Sequence, residues 1–367
     1  MLRQVLTLWS RPSFRPLKSG PKPALVVVFN NADAALLDET RALRSAFPDL
    51  AESFSRFEVV SADLTGDADL YARDATESRG KFGNKAGPNF LFQKTMHAVA
   101  RHGDYTLQIE LDCLPVRPGW IDEANAVVAR NAGAWVIGST YPGDVTLDRR
   151  VQFHFNGNAI YKAGEPAFRT FLDDVWIARI LHHIRLNPNL AYDCWWAFEM
   201  SRANAMIKND AWRLWQIYDP FFHNDPFLVN LTVGIDHVAQ FFEIHDEIKA
   251  RRAAPIFFHG KAIQTLIEKL QDAPPGQSLR QFVKEWTAGH PPANDRAAPA
   301  RPAPLANAAP PPAMHLLKGF NNIEGPVERY GPTRFAWSKA RKVEVLAENL
   351  NGPLSLRIRI EPKFGGG

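Results

Sequence analysis

The segment Tyr105-Thr106-Leu107-Gln108-Ile109-Glu110-Leu111-Asp112-Cys113-Leu114-Pro115 alternates apolar and polar residues. In a strand, successive side chains point to opposite faces, so Leu107, Ile109 and Leu111 would share one face and Gln108, Glu110 and Asp112 the other. Two carboxylates then point the same way, at the carboxyl end of a strand that Cys113-Leu114-Pro115 terminates. Open α/β sheets bind their ligands at such ends. Like charges held together repel, and a hard divalent cation such as Mn2+ or Mg2+ between them removes the repulsion. A solvated edge strand with incidental acids fits the same short spacing.

Upstream, Pro23-Ala24-Leu25-Val26-Val27-Val28-Phe29-Asn30-Asn31 is a continuous apolar run that suits a strand buried on both faces of a parallel sheet. Leu36, Leu37, Leu43 and Phe47 then recur at helical spacing, and Phe57 to Asp63 reads as a second strand, giving a βαβ unit. Asn30, Asn31 and Asp63 fall at strand ends, where a base and ribose could find polar partners or where they simply cap turns. Gly80-Lys81-Phe82-Gly83-Asn84-Lys85-Ala86-Gly87-Pro88-Asn89 is a basic glycine-rich loop entering a helix expected over 90–101. Lys85 and Asn89 there could meet phosphate, or the loop could merely be flexible; its residue order excludes a Walker A loop.

Downstream, a helix is expected over 121–130 and a strand over 134–138, followed by Val151 to Tyr161 with Asn156-Gly157-Asn158 at its centre. That triplet is either a turn or a place where a ligand needs amide donors and close backbone approach. Asp193-Cys194-Trp195-Trp196-Ala197-Phe198-Glu199 sets two acids beside paired tryptophans. Tryptophan faces pack on sugar rings, and Asp193 or Glu199 could take a proton from an attacking hydroxyl; a capped helix with buried tryptophans is the plain alternative. His182, His183, His237 and His245 read as helix-surface residues. Finally, Pro255 to His259 is a strand whose histidine can complete a metal site begun by carboxylates, with Gly260 permitting backbone approach and Lys261 offering charge to a phosphate.

The chain has 367 residues, 46% hydrophobic, with 43 basic against 39 acidic side chains. That is ample for a large core, and the slight basic excess selects no partner. Cys113 and Cys194 lack metal-ligand spacing and imply neither a disulfide framework nor a zinc site, so a reducing compartment is the expectation. The N-terminus does not read as a signal peptide, and no segment is apolar for long enough to span a bilayer. Arg3, Arg11, Arg15, Lys18 and Lys22, interleaved with Trp9 and Phe14, suit a flexible arm or a contact with an anionic membrane surface. Nucleic acid is not an expected partner, because no basic stripe with interleaved aromatics runs through the ordered region.

Taken together, the order of parts resembles a GT-A-type glycosyltransferase. Glu110-Leu111-Asp112-Cys113-Leu114-Pro115 with Gly119-Trp120 is similar to the variant Asp-x-Asp motif of bacterial members, Glu110 standing where Asp is usual. Phe155 to Tyr161 resembles the segment that lines the donor or acceptor pocket. His259-Gly260-Lys261 is similar to a longer His, Gly and Lys element that holds metal and diphosphate in some retaining members. The resemblance covers about residues 21–285. It implies a Rossmann-like, mixed but mostly parallel sheet flanked by helices, with Mn2+ or Mg2+ held by Glu110, Asp112 and His259. It also implies a nucleotide-sugar donor carrying UDP or GDP and a glycan or other hydroxyl acceptor. The setting it implies is bacterial polysaccharide or glycoconjugate synthesis, cytoplasmic or peripheral at the inner face of the membrane.

The expected organisation is an N-terminal arm over 1–20, the GT-A domain over 21–287, a Pro/Ala-rich linker over 288–313 and a small all-β domain over 314–367. Lys342 to Leu346 and Leu354 to Ile360 alternate as antiparallel strands would, and the domain resembles the start of a β-sandwich appendage. Two other functions compete. A sugar-phosphate nucleotidyltransferase also uses metal-binding carboxylates on an α/β sheet, but Asn30-Asn31-Ala32-Asp33 lacks its glycine-rich basic signature. A non-catalytic carbohydrate-binding or scaffold protein is the other.

Overall fold

The structure is a computed structural model that describes residues 1–72, 75, 77–140, 150–230, 238, 242 and 255–289, together with the strands 314–318, 320–324, 335–338 and 344–347. The chain divides into two units, Met1–Pro292 and Ala293–Gly367.

The expected βαβ unit opens the sheet region. Strand β1 (Ala24–Phe29) and strand β2 (Arg56–Ser61) pair in parallel from Ala24↔Arg56 to Phe29↔Ser61. Helix α2 (Ala34–Ala46) crosses between them, its N-terminus capped by Asp33, whose side chain accepts from the Leu36 amide. All six β1 residues are half-buried, not sealed on both faces as the apolar run predicts.

The decisive segment is not one strand. Strand β3 is Thr106–Leu107 and strand β4 is Cys113–Pro115, and between them the Cys113 amide donates to the Glu110 carbonyl at 3.1 Å, closing a turn. Leu111 therefore stands 43% exposed and does not join a core face. The turn, not strand alternation, sets the direction of Glu110 and Asp112.

After β4 come helix α4 (Trp120–Arg130), strand β5 (Val136–Gly138) and strand β6 (Ile160–Tyr161). Helix α3 (Ala86–Val99) lies earlier, ahead of β3. The chain then turns all-helical: α5 (Pro166–Phe171) runs through a wide π turn (Leu172–Ile177) into α6 (Ala178–His183), followed by α7 (Tyr192–Arg202) and α8 (Asp210–Tyr218). Strands β7 (Phe222–Asn224), β8 (Leu228–Asn230) and β9 (Phe257–His259) and helices α9 (Lys261–Leu270) and α10 (Leu279–Gly289) complete the described part of the first unit. Besides the β1–β2 pair, two sheets result, ordered β3-β6-β5-β7 and β4-β9-β8. Among the described strand pairs of this unit, β1–β2, β5–β7 and β8–β9 are parallel while β3–β6, β4–β9 and β5–β6 are antiparallel. The fold is mixed α/β, but the expectation of a mostly parallel sheet does not hold. Because β3 belongs to one sheet and β4 to the other, the acidic turn lies at the seam between them.

The N-terminal residues are not an arm. Leu2, Val5, Leu6 and Trp9 recur at i, i+3, i+4 and i+7 along helix α1 (Leu2–Trp9), and Val5, Leu6, Leu8 and Trp9 are buried in the same core as β4, β9 and α9. Trp9 packs against Trp120 at a ring separation of 5.0 Å. Arg11 donates to the carbonyls of Leu270, Gln271 and Ala273, closing the C-terminal end of α9. Each buried Leu or Val here stabilises by about 1.5–3 kcal/mol.

In the second unit, strands β10 (Met314–Lys318) and β13 (Glu344–Ala347) pair antiparallel, as do β11 (Phe320–Glu324) and β12 (Phe335–Ser338). The expected strand at 342–346 overlaps β13; that at 354–360 and most of the expected linker lie outside the described residues.

Candidate functional site

Register explains how distant residues meet. In the sheet β4-β9-β8, His259 is the last residue of the middle strand, paired with Cys113 on one side and Asn230 on the other. Asp112 immediately precedes Cys113, and the turn folds Glu110 back beside it. His259 Nε2 lies 3.3 Å from Glu110 Oε2 and 3.4 Å from Asp112 Oδ1. Asp112 and His259 are mostly enclosed, with 19% and 17% of their side chains exposed, whereas Glu110 is 61% exposed and closes the cluster on its open side.

Three asparagines hold this cluster. Asn156 Oδ1 accepts from both the backbone and the side-chain amide of Asn158, so its Nδ2 turns the other way and donates to Asn230 Oδ1 at 2.7 Å. Asn230 Oδ1 also lies 2.7 Å from His259 Nδ1. Asn156 Nδ2, a donor, lies 3.1 Å from the same nitrogen, so in the imidazolium form Nδ1 gives its proton to Asn230 Oδ1, the shorter contact, and the orientation directs Nε2 at the carboxylates. Asn158 in turn accepts the Glu110 amide at 2.5 Å and donates to Glu110 Oε2 at 3.3 Å. Asn156 and Asn158 are 7% and 1% exposed, so they shape the site from behind. Asn230 Nδ2 is buried and has no partner among the described residues.

The electrostatics follow from this geometry. Burial works to lower the His259 imidazolium, but its hydrogen bonds to Asp112 and Glu110, and their charges, raise it from an ordinary 6.5 to about 9. Burial works to raise the Asp112 carboxyl, and the hydrogen bond and charge of His259 outweigh it and hold it below the usual range. Two carboxylates thus face one imidazolium, and no arginine or lysine contacts them among the described residues. Asp112, Cys113 and His259 each bring one ligand atom within 4.8 Å of the others, and Glu110 stands 3.3 Å from the imidazole, so two carboxylates and an imidazole nitrogen oriented by a partner on its other ring atom offer donors that suit a hard divalent cation.

Gly157 belongs to the scaffold. A Cβ there would stand 2.2 Å from the Tyr192 hydroxyl, so the glycine makes room for Tyr192 and not for an approaching ligand. Gln108 Nε2 donates to Tyr192 Oη and to the Gly157 carbonyl, tying the start of α7 to the acidic segment. Asp193 follows Tyr192, with a quarter of its side chain exposed. Its carboxyl is raised by burial, lowered in part by His154 and raised again by the charge of Glu110, so Asp193 faces the same region as the acidic turn. The charge of Lys85 reaches the neighbouring Cys194, which puts the basic loop on this side too. Lys85 also lies over the Tyr71 ring at 4.3 Å.

Other expected residues lie elsewhere. Glu199 has no exposure: Arg179 Nε donates to it at 2.9 Å and His183 Nε2 lies 2.7 Å away, so it is half of a buried ion cluster and not a free acid. His183 is 1% exposed, against the expectation of a helix-surface residue; His237 and His245 lie outside the described residues. Trp195 and Trp196, 0% and 9% exposed, stack on Trp176 and Phe222 and leave no face for a sugar. Asn89 is buried in α3 and donates to the Leu190 carbonyl, so it does not face phosphate. Asn30 is exposed and donates to Asp69, and Asp63 is exposed at a φ of +52° at the end of β2. Gly260 has a φ of +136°, which glycine alone adopts without strain, and Lys261 opens α9 immediately beyond. Asn230 and His154 were not singled out by sequence. Asn230 ends an apolar run, Phe227-Leu228-Val229, just as His259 does, but only the strand register shows that the two meet.

No family model matches the chain, and no curated protein matches it. Among solved structures it is similar to the crystal structure of mouse xyloside xylosyltransferase 1 in its apo form, at 12% identity over 71% of this chain and 91% of that one, with a TM-score of 0.37. A likeness that weak carries no argument, so function rests on the geometry above. No helix among the described residues is long and apolar enough to cross a membrane.

Proposed function

We propose that the chain is a glycosyltransferase of GT-A-like architecture that moves a sugar from a nucleotide-diphosphate donor to a hydroxyl acceptor with a divalent cation bound. The observation that carries this reading is the meeting of Glu110 and Asp112 around His259 at the seam of two sheets, each acid within 3.4 Å of Nε2, with no arginine or lysine against them among the described residues. Glu110, Asp112 and His259 would hold Mn2+ or Mg2+. When bound, the ion neutralises charge developing on the diphosphate leaving group. Asn156, Asn158 and Asn230 position the imidazole and Glu110. Lys85 and Lys261 add positive charge for the phosphates, and Gly260 lets the backbone approach them. Asn30 and Asp63, exposed at the ends of β1 and β2, are the candidates for the base and ribose. Asp193 is the candidate for the acid beside the reacting carbon, since a carboxyl raised by burial is a better proton acceptor from a hydroxyl near neutral pH.

The test is a panel of nucleotide sugars offered to the full-length chain with Mn2+, followed by thermal unfolding and by mass analysis of donor hydrolysis. One donor should raise the melting temperature, chelator should abolish the rise, and Asp112→Asn should abolish both the rise and the hydrolysis. Indifference to every donor, with stabilisation by free glycans instead, would replace the transferase with a carbohydrate-binding protein.

A further inference from the structure

Away from the acidic cluster, the end of α6, the end of α7 and the start of α8 come together. Arg202 Nη1 lies 3.5 Å from His183 Nδ1, and the Leu186 amide donates to the His183 carbonyl, so Arg185 and Leu186 follow directly on the contact with the last turn of α7. The turn 203–209 that leads on to α8 is tied by two asparagines. Asn204 Oδ1 accepts from the Met206 and Ile207 amides, and Asn209 Oδ1 accepts from the Asn204 and Trp212 amides while its Nδ2 donates to the Arg202 carbonyl. Lys208 takes the left-handed backbone conformation, at a φ of +46°, on the way into the helix. A turn tied in this way has its shape before it meets anything. What it presents is apolar: Met206 and Ile207 are 79% and 72% exposed, and Leu186 is exposed as well. Arg185, Arg202, Lys208 and Arg213, from the same three element ends, are all exposed. Of residues 183–213, every one of which is described, the single exposed acid is Asp210, 3.9 Å from Arg213.

We propose that the turn 203–209 is a membrane-docking tip, which inserts Met206 and Ile207 into an anionic lipid surface while Arg185, Arg202, Lys208 and Arg213 meet the headgroup phosphates. Apolar groups held in water recover the cost of their hydration only when something apolar covers them, and an apolar patch rimmed by charge marks a site of association. Charge chooses between the occupants. A second copy of this chain, docked tip to tip about a two-fold axis, would set the basic rim against itself. A nucleic acid offers phosphates with no apolar layer beneath them. A bilayer containing anionic lipids offers both, phosphates at the level of the guanidinium and ammonium groups and hydrocarbon below for the two tip side chains. The long stems of Lys208 and the arginines let their charges stay at the headgroups while the tip goes deeper. Docking of this kind is shallow and reversible, and it owes nothing to the acidic cluster or to the chemistry assigned there.

The test is co-sedimentation of the full-length chain with two kinds of vesicle, one of phosphatidylcholine and phosphatidylserine in equal parts and one of phosphatidylcholine alone. The chain should pellet with the mixed vesicles and bind the neutral ones about tenfold more weakly, and high salt should narrow that gap. Met206→Ser combined with Ile207→Ser should weaken binding to the mixed vesicles on the order of tenfold, and Lys208→Glu combined with Arg213→Glu should weaken it by about as much or more. All four side chains are exposed, and thermal unfolding at the wild-type temperature checks that each variant folds. Failure of the wild-type chain to pellet with either vesicle would overturn the proposal. Binding that both double variants leave unchanged would overturn it too, by moving the contact to another part of the chain. A dimer in sedimentation equilibrium that the Met206 and Ile207 substitutions dissolve, with no vesicle binding, would give the tip to a second copy instead. None of these readouts involves a nucleotide sugar, so failure of the transferase reading leaves the result intact.

Discussion

His259 and His183 both lie against carboxylates, and the structure treats them oppositely. His259 faces Glu110 and Asp112, and its imidazolium is raised to about 9. His183 lies 2.7 Å from Glu199, yet burial outweighs that carboxylate and, with the charges of Arg202 and Arg179, lowers it. The difference is the set of neighbours: burial meets one carboxylate shared with arginine at His183, and two carboxylates at His259. Arg179 already neutralises Glu199, so the buried cluster is balanced and closed to solvent. The cluster at the sheet seam has two acids, one imidazole and an open side. The same residue types therefore stabilise in one place and leave a demand for positive charge in the other.

The largest expected effect breaks this contrast at the seam. Asp112→Asn should lower donor turnover per folded molecule on the order of 10³-fold, the scale at which removing one electrostatic contact to a transition state is felt. Turnover assayed by mass analysis of donor hydrolysis checks it, and an unchanged rate would sink the site. Glu199→Gln should do the reverse: about 3 kcal/mol of stability lost in denaturant titration, because Arg179 and His183 keep a buried cluster without its anion, with turnover per folded molecule retained.

The pH dependence sharpens the contrast. Because the folded value of His259 lies above its ordinary 6.5, the stability it contributes is fully present below pH 6.5 and is lost as pH rises through about 9. That loss is on the order of 3 kcal/mol in the cation-free chain, and saturating Mn2+ should remove it by replacing the proton. His183 is lowered, so its folded form resists protonation and stability should fall instead as pH drops below 6.5. Chemical denaturation across pH, with His183→Gln and Asp112→Asn each deleting one limb, separates them. Smallest of the four, Asn230→Ala should weaken Mn2+ binding roughly 10–100-fold by freeing the imidazole to rotate, measured by calorimetry.

How much of this was legible in the sequence depended on range. Local signals were strong: the apolar run of β1 and the helical spacing of α2 appear where expected. Glu110, Asp112 and His259 were visible as residue types at element ends, and the structure brings them together. Their direction was misjudged, since alternation predicts a strand where the chain makes a turn, and a short turn between two strands leaves the same pattern of polar and apolar residues as one long strand. The spacing of Leu2, Val5, Leu6 and Trp9 marks a docking helix, but five basic residues nearby argue for an arm; they snorkel or pair while the apolar face buries. Trp195 and Trp196 illustrate the remaining difficulty. Nothing local distinguishes a tryptophan that faces a sugar from one that faces Phe222, because the packing partner lies on another element. Asn230 was illegible for the same reason.

His259 completes its cluster from β9, the last described strand of the first unit, long after both acids have been made. A growing polypeptide released before that strand would carry a repelling pair of acids and no imidazole between them.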